Sequence, residues 1–146
     1  MNNNNAQKPT VAIIGSGSIG TGWAIVFADA GHQVRLFDAS PERLAAADRE
    51  IGERLHDLAE FDLLDGNADD VLQRLSHCTE LEGAVDGADH IQECIPEDLN
   101  AKKQMFAKLD MLAASSAVLA SSSSFLPASE FASDLVGRSR VLVLHP

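Results

Sequence analysis

At 146 residues and 45% hydrophobic content, the chain is long enough to bury one globular core and too apolar to be disordered. A formal net charge of −11 argues against nucleic acid or an anionic membrane as a partner, and disfavours polyanionic substrates unless local cations offset it. Two cysteines, Cys78 and Cys94, lack C-x-x-C spacing, and neither a signal peptide nor a bilayer-length apolar stretch is visible, so the expectation is a cytoplasmic protein with reduced thiols.

Met1 to Lys8, with four consecutive asparagines, reads as a disordered polar tail, leaving one domain over residues 9–146. Next comes the apolar run Val11 to Ile14, which breaks into Gly15-Ser16-Gly17-Ser18-Ile19-Gly20. A strand turning sharply into a helix explains that spacing. Gly15 permits the turn, Gly17 lets a dinucleotide pyrophosphate approach the backbone, and Gly20 lets the helix pack closely on its strand. The helix beginning near Ser18 aims free N–H groups at the phosphates, with no basic side chain required. Trp23, Ala24, Val26, Phe27 and Ala28 make that helix apolar, and Gly31 with His32 ends it. A second strand, Gln33 to Phe37, ends on Asp38, 18 positions after Gly20, where a carboxylate accepts hydrogen bonds from the adenosine ribose. Glycine-rich turns are common alone; the strand, helix and acid around this one make a dinucleotide site.

Ser40-Pro41-Glu42 starts a long helix to about Glu60, with Leu44, Ile51, Leu55 and Leu58 as its apolar stripe. A turn at Asp65 to Ala68 precedes a short helix from Asp69 to Leu75, and the pair reads as a helical hairpin. Thr79 to Leu81 reads as a brief strand, Glu82 to Val85 as a short helix and Asp86-Gly87 as a turn. Asp89 to Ile95 is the next strand. Pro96-Glu97-Asp98 ends it and caps a helix from Leu99 to about Ala113, whose buried face is Met105, Phe106, Leu109 and Leu112. Ala117 to Ala120 is a strand, Ser121 to Ser124 the loop at its end, Pro127 to Leu135 a helix, and Arg140 to Leu144 a last strand before His145-Pro146. Strands alternating with helices predict an α/β fold with a doubly wound, mostly parallel Rossmann sheet.

In such sheets ligands sit beyond the carboxyl ends of the strands. That rule selects the glycine loop, Asp38, the segment Glu93 to Glu97, and the serine run with His145. A histidine there can take a hydroxyl proton while hydride leaves the same carbon, but at the last-but-one position it reads equally as a frayed end. The serine run reads as a flexible polar loop, or as a source of one hydroxyl for the reacting oxygen. Lys102, one of four lysines, is either a solvated helix charge or a group reaching the nicotinamide ribose. His32 reads as a turn residue, His56 and His77 as surface and His90 as a strand residue, and none forms a metal site with the cysteines. Asp38 favours NAD over NADP, because its charge repels a 2′-phosphate; Arg43 is the only nearby cation to oppose it.

The glycine loop, the stretch His90-Ile91-Gln92-Glu93-Cys94-Ile95-Pro96-Glu97-Asp98-Leu99, the serines before Phe125-Leu126-Pro127, and His145-Pro146 together resemble the L-3-hydroxyacyl-CoA dehydrogenase superfamily, most closely its lambda-crystallin, L-gulonate 3-dehydrogenase type. The resemblance implies NAD-dependent oxidation of a 3-hydroxy acid to the 3-oxo acid. By that resemblance Gly15, Gly17, Ser18, Ile19, Gly20 and Asp38 bind the cofactor, Glu97 and Lys102 line its nicotinamide side, and Ser122 occupies a neighbouring position. Ser124, 21 positions before His145, matches the serine that hydrogen-bonds the substrate oxygen, and His145 the catalytic acid/base.

Members of the superfamily continue beyond His-Pro with a glutamate that pairs with the histidine and a helical domain that closes the site and forms a homodimer. The chain therefore reads as an N-terminal half, expected to bind NAD and to turn over poorly alone. Between Pro41 and Ala101 it has no lysine and only Arg43, Arg49, Arg54 and Arg74 among many acids, a poor setting for CoA phosphates. A small hydroxy acid is accordingly favoured over an acyl-CoA thioester, with a non-catalytic crystallin-like dinucleotide module as the rival of another class.

Overall fold

The computed structural model describes residues 8–146. Residues 1–7 of the expected tail lie outside the described residues. Lys8 belongs to the fold, its ammonium donating to the Ala30 carbonyl at the end of the first helix.

Six parallel strands form one sheet in the order β3-β2-β1-β4-β5-β6. They are β1 Val11–Ile14, β2 Val34–Phe37, β3 Leu75–Cys78, β4 His90–Glu93, β5 Val118–Ser121 and β6 Val141–Val143. The helices between them are α1 Ser18–Asp29, α2 Pro41–Glu60, α3 Ala68–Gln73, α4 Leu81–Val85, α5 Leu99–Leu112 and α6 Ala128–Ala132. This is the doubly wound Rossmann order, with the chain reversing direction across the sheet between β1 and β4.

Alternation along the central strands sends side chains to two cores. Val11, Ile13, Val34 and Leu36 meet α1, α2 and α3 on one face. Ala12, Ile14, Ile91 and Leu119 meet α4, α5 and α6 on the other. Because both faces are covered, β1 is apolar throughout rather than alternating with polar residues.

Local capping follows the sequence. Ser40 accepts from the Arg43 amide at 3.3 Å, with Pro41 opening α2, and Asp98 accepts from the Ala101 amide at 2.8 Å to start α5. Gly31 takes φ +89° just past α1.

Three expectations are corrected. The third strand is Leu75–Cys78 rather than Thr79–Leu81: it is an edge strand half open to solvent, so it lacks an apolar run, and Glu80 serves instead as the N-cap of α4. Leu75 consequently leaves the preceding helix, which stops at Gln73. On α5, Leu112 is 38% exposed, and the buried stripe is Lys102, Phe106 and Leu109.

Candidate active site

The glycine loop passes beside the end of β4. Gly15 adopts φ +105°, and a Cβ on it would lie 2.8 Å from the Cys94 carbonyl oxygen. Gly20 is more tightly enclosed, since its Cβ would stand 1.9 Å from the Gly15 carbonyl oxygen. At Gly17 a Cβ would meet nothing within 4 Å, so the space before that residue is left for a ligand. Gly17 is the N-cap of α1 and no side chain closes the helix's first amides, which hold about half a positive charge.

In front of the loop lies a cleft of about 430 Å³, lined by Gly15 to Ile19, by Asp38 and Arg43, and by Ile95 and Pro96. Ile19 is exposed there. Asp38 Oδ2 accepts from the Ser16 hydroxyl at 2.8 Å and the Ser16 amide at 3.2 Å, and Oδ1 accepts from the Ser40 amide at 3.1 Å. Arg43 Nη1 stands 4.0 Å from the same carboxylate on a largely exposed side chain. The acid is thus held rigidly at the tip of β2 while still facing the cleft.

Sequence reasoning asked for no cation beside the loop, yet Arg54 is there. Its Nη2 donates to the Ser18 hydroxyl at 2.6 Å, and its Nη1 to the Ser18 carbonyl at 3.0 Å and the Thr21 hydroxyl at 3.1 Å. Glu50, one turn earlier on α2, pairs with it at 2.5 Å.

The serine loop is built on a second network. Register places Glu93 of β4 beside Ser121 of β5. Glu93 Oε1 accepts from the Ile95 amide at 2.7 Å and Lys102 Nζ at 3.0 Å; Oε2 accepts from Lys102 Nζ at 2.9 Å and the Ser121 hydroxyl at 2.6 Å. Lys102 is 1% exposed, which corrects its reading as a solvated helix charge. Its ammonium is engaged by Glu93, and it does not line the cleft.

Glu97 accepts from the Ser123 hydroxyl and, at 3.1 Å, from the Ser124 amide. Partial desolvation pushes its carboxyl up, but the Ser123 hydroxyl, the Ser124 amide, the Lys102 charge and the Leu126 amide outweigh it and hold the group below the usual glutamate range.

Ser122 turns inward. Its oxygen receives the Trp23 indole N–H at 3.1 Å and the Gln92 amide at 2.7 Å, and lies 3.3 Å from Cys94 Sγ. Burial pushes the Cys94 thiol up to about 12, so it stays protonated. Ser124 is exposed, and its hydroxyl lies 2.9 Å from His145 Nε2. All strands being parallel, this pair and the cleft occupy the same edge of the sheet.

The structure therefore brings together Gly15, Gly17, Ser18, Ile19 and Asp38 around one cleft, with Gly20 buried behind the loop, and Glu97, Ser124 and His145 around the serine loop. Lys102 and Ser122 face the interior. Ser16, Arg54, Gln92 and Glu93 were not legible as a group. The one available signal was the run of polar residues in a buried strand, Gln92 and Glu93, which a core tolerates only with partners.

The family model for the NAD-binding domain of 3-hydroxyacyl-CoA dehydrogenase matches residues 10–146. The chain belongs to that family. A lambda-crystallin homolog from Bos taurus is 41% identical over 93% of this chain and 43% of its own length. An L-carnitine dehydrogenase from Streptomyces griseus is 34% identical over 93% of this chain and 40% of its own. Among solved structures, 3-hydroxybutyryl-CoA dehydrogenase from Escherichia coli superposes with a TM-score of 0.87 at 34% identity, over 94% of this chain and 29% of that one. The chain thus spans less than half the length of the relatives it matches.

As an NAD-binding domain of this family, the chain offers residues that fit the cofactor: open amides at the start of α1 for the pyrophosphate and a fixed acid at Asp38 for a ribose. Among the described residues, no helix is long and apolar enough to cross a membrane.

Proposed function

We propose that this domain forms the cofactor half of an NAD-dependent dehydrogenase that oxidises a small 3-hydroxy acid of the L-gulonate type to the 3-oxo acid. The 2.9 Å contact between Ser124 and His145 Nε2, on the cofactor edge of the sheet, carries the reading. An imidazole exchanges protons near neutrality, so His145 takes the proton of the substrate hydroxyl while Ser124 hydrogen-bonds the same oxygen. NAD, when bound, supplies the hydride acceptor. Glu97 orients Ser124 through its amide, and Asp38 selects NAD over NADP. Lys102 and Ser122 support the nicotinamide side from beneath.

The net charge of −11 disfavours a polyphosphate tail and so supports a small acid, as does the similarity to an L-carnitine dehydrogenase. A 3-hydroxyacyl-CoA substrate is the second reading, favoured by the likeness to 3-hydroxybutyryl-CoA dehydrogenase. A purely structural, crystallin-like module has no use for a paired Ser124 and His145. We place the complete protein in the cytoplasm, as a homodimer.

The test is calorimetric titration of this domain with NADH and NADPH, followed by initial rates of the complete protein with NAD and either L-gulonate or 3-hydroxybutyryl-CoA. NADH should bind more tightly than NADPH, and L-gulonate should be oxidised faster. His145→Ala should lower turnover by about 100-fold or more while leaving NADH affinity within about twofold. Faster oxidation of the CoA ester, or full activity of His145→Ala, would overturn the reading.

A further inference from the structure

We propose that Gln92 is a positioning residue that sets the place of His145. This rests on the reading of His145 as the acid/base, although the contact itself is independent of any turnover.

Gln92 sits in β4, between β1 and β5, and its side chain is fully buried. A glutamine in the middle of a two-sided parallel sheet needs a partner for every polar atom. It has them. Nε2 donates to the Ser122 hydroxyl at 2.7 Å and to the Leu144 carbonyl at 3.0 Å, while Oε1 lies 3.0 Å from His90 Nε2. The Leu144 carbonyl can only accept, so the amide nitrogen must face it, and His90 must donate from Nε2.

Leu144 immediately precedes His145 and lies one residue beyond β6, where the ladder has ended. Its N–H still reaches the Ser121 carbonyl at 2.9 Å, and its own carbonyl takes the Gln92 amide. Both main-chain polar groups of Leu144 are therefore tied to the interior strands. The same amide holds Ser122, two residues before Ser124. One side chain thus links the two strand ends that carry the Ser124–His145 pair. Trp23 and Cys94 complete the remaining contacts of Ser122, so the linkage has no free valence through which to slip.

Gln92→Met keeps the volume and removes both donors. Amide hydrogen exchange and the His145 ring resonances are followed by NMR in the 146-residue protein. Leu144 protection should fall at least about tenfold while Ile13 in β1 keeps its protection, and the His145 ring should move toward the shifts of a mobile, exposed histidine. Unchanged Leu144 protection, or a parallel loss at Ile13 that marks a general loss of stability, would refute the proposal. Should Gln92→Met not fold, the unaltered protein decides. The Gln92 side-chain amide protons must exchange at least about tenfold more slowly than those of exposed Gln104 and show proximity to the His90 ring; equal exchange rates would refute it. None of these readings requires catalysis, so a wrong substrate or an idle His145 would leave them unaffected.

Discussion

Lys102 Nζ lies 2.9 Å from Glu93 Oε2, and both side chains are almost wholly shut off from solvent. Such a pair contributes little over an apolar replacement, but losing one member strands the other charge in the core. Lys102→Met is expected to destabilise the protein by about 3–5 kcal/mol in denaturant unfolding, with Lys102→Met combined with Glu93→Leu costing less than the sum of the singles. Additive effects would show that the two charges do not depend on each other.

The loop glycines separate a folding requirement from a binding requirement. Gly20→Ala places a Cβ 1.9 Å from the Gly15 carbonyl, so both melting temperature and NADH affinity should drop. Gly17→Ala meets no protein atom within 4 Å and should melt close to the unaltered protein. Its NADH affinity should nonetheless fall by about tenfold or more, about 1.4 kcal/mol, because the new methyl occupies the ligand's space. Thermal melts and calorimetry on the two variants check the contrast.

Asp38 faces the cleft with Arg43 only 4.0 Å away. Asp38→Ala removes the charge that repels a 2′-phosphate and leaves the guanidinium to meet it. The ratio of NADPH to NADH affinity should rise by about tenfold or more. An unchanged ratio in competitive titration would remove Asp38 as the discriminator.

Burial lowers the pKa of His90 from its usual 6.5, against the opposing hydrogen bond to Gln92. The unfolded chain therefore takes up this proton first as pH falls. The stabilising contribution is full above pH 6.5 and declines as pH drops from there toward the folded pKa. His90→Phe should flatten the fall in melting temperature over that window, and a ring titration by NMR should place His90 below an exposed histidine.

Most of the architecture was legible because α/β order rests on local signals. Apolar runs, Gly15, the Ser40 and Asp98 caps and the Gly31 stop each act within a few residues. The edge strand Leu75–Cys78 was missed because half of it faces water and it pairs with β2, 41 positions away in register. The solvated-charge alternative for Lys102 fails for a related reason. Helical spacing puts positions 102, 106 and 109 on one face, but a lysine there signals solvent unless the carboxylate awaiting it, on another strand, is known. Strand-end placement points to the serine run and to His145, and the choice of Ser124 within the run comes from the family resemblance, whereas the contacts of Ser16, Arg54 and Gln92 depend on tertiary neighbours.

Trp23 is the sole tryptophan in a chain without tyrosine, and its indole N–H is bonded to the Ser122 hydroxyl. The protein therefore carries a native optical reporter wired to the loop that presents Ser124. Indole emission responds to the polarity and bonding of its N–H, so any ligand or substitution that shifts the loop writes itself into one uncontaminated spectrum. Motion that couples the glycine-turn helix to the reactive end can be timed in the unlabelled protein by stopped-flow fluorescence.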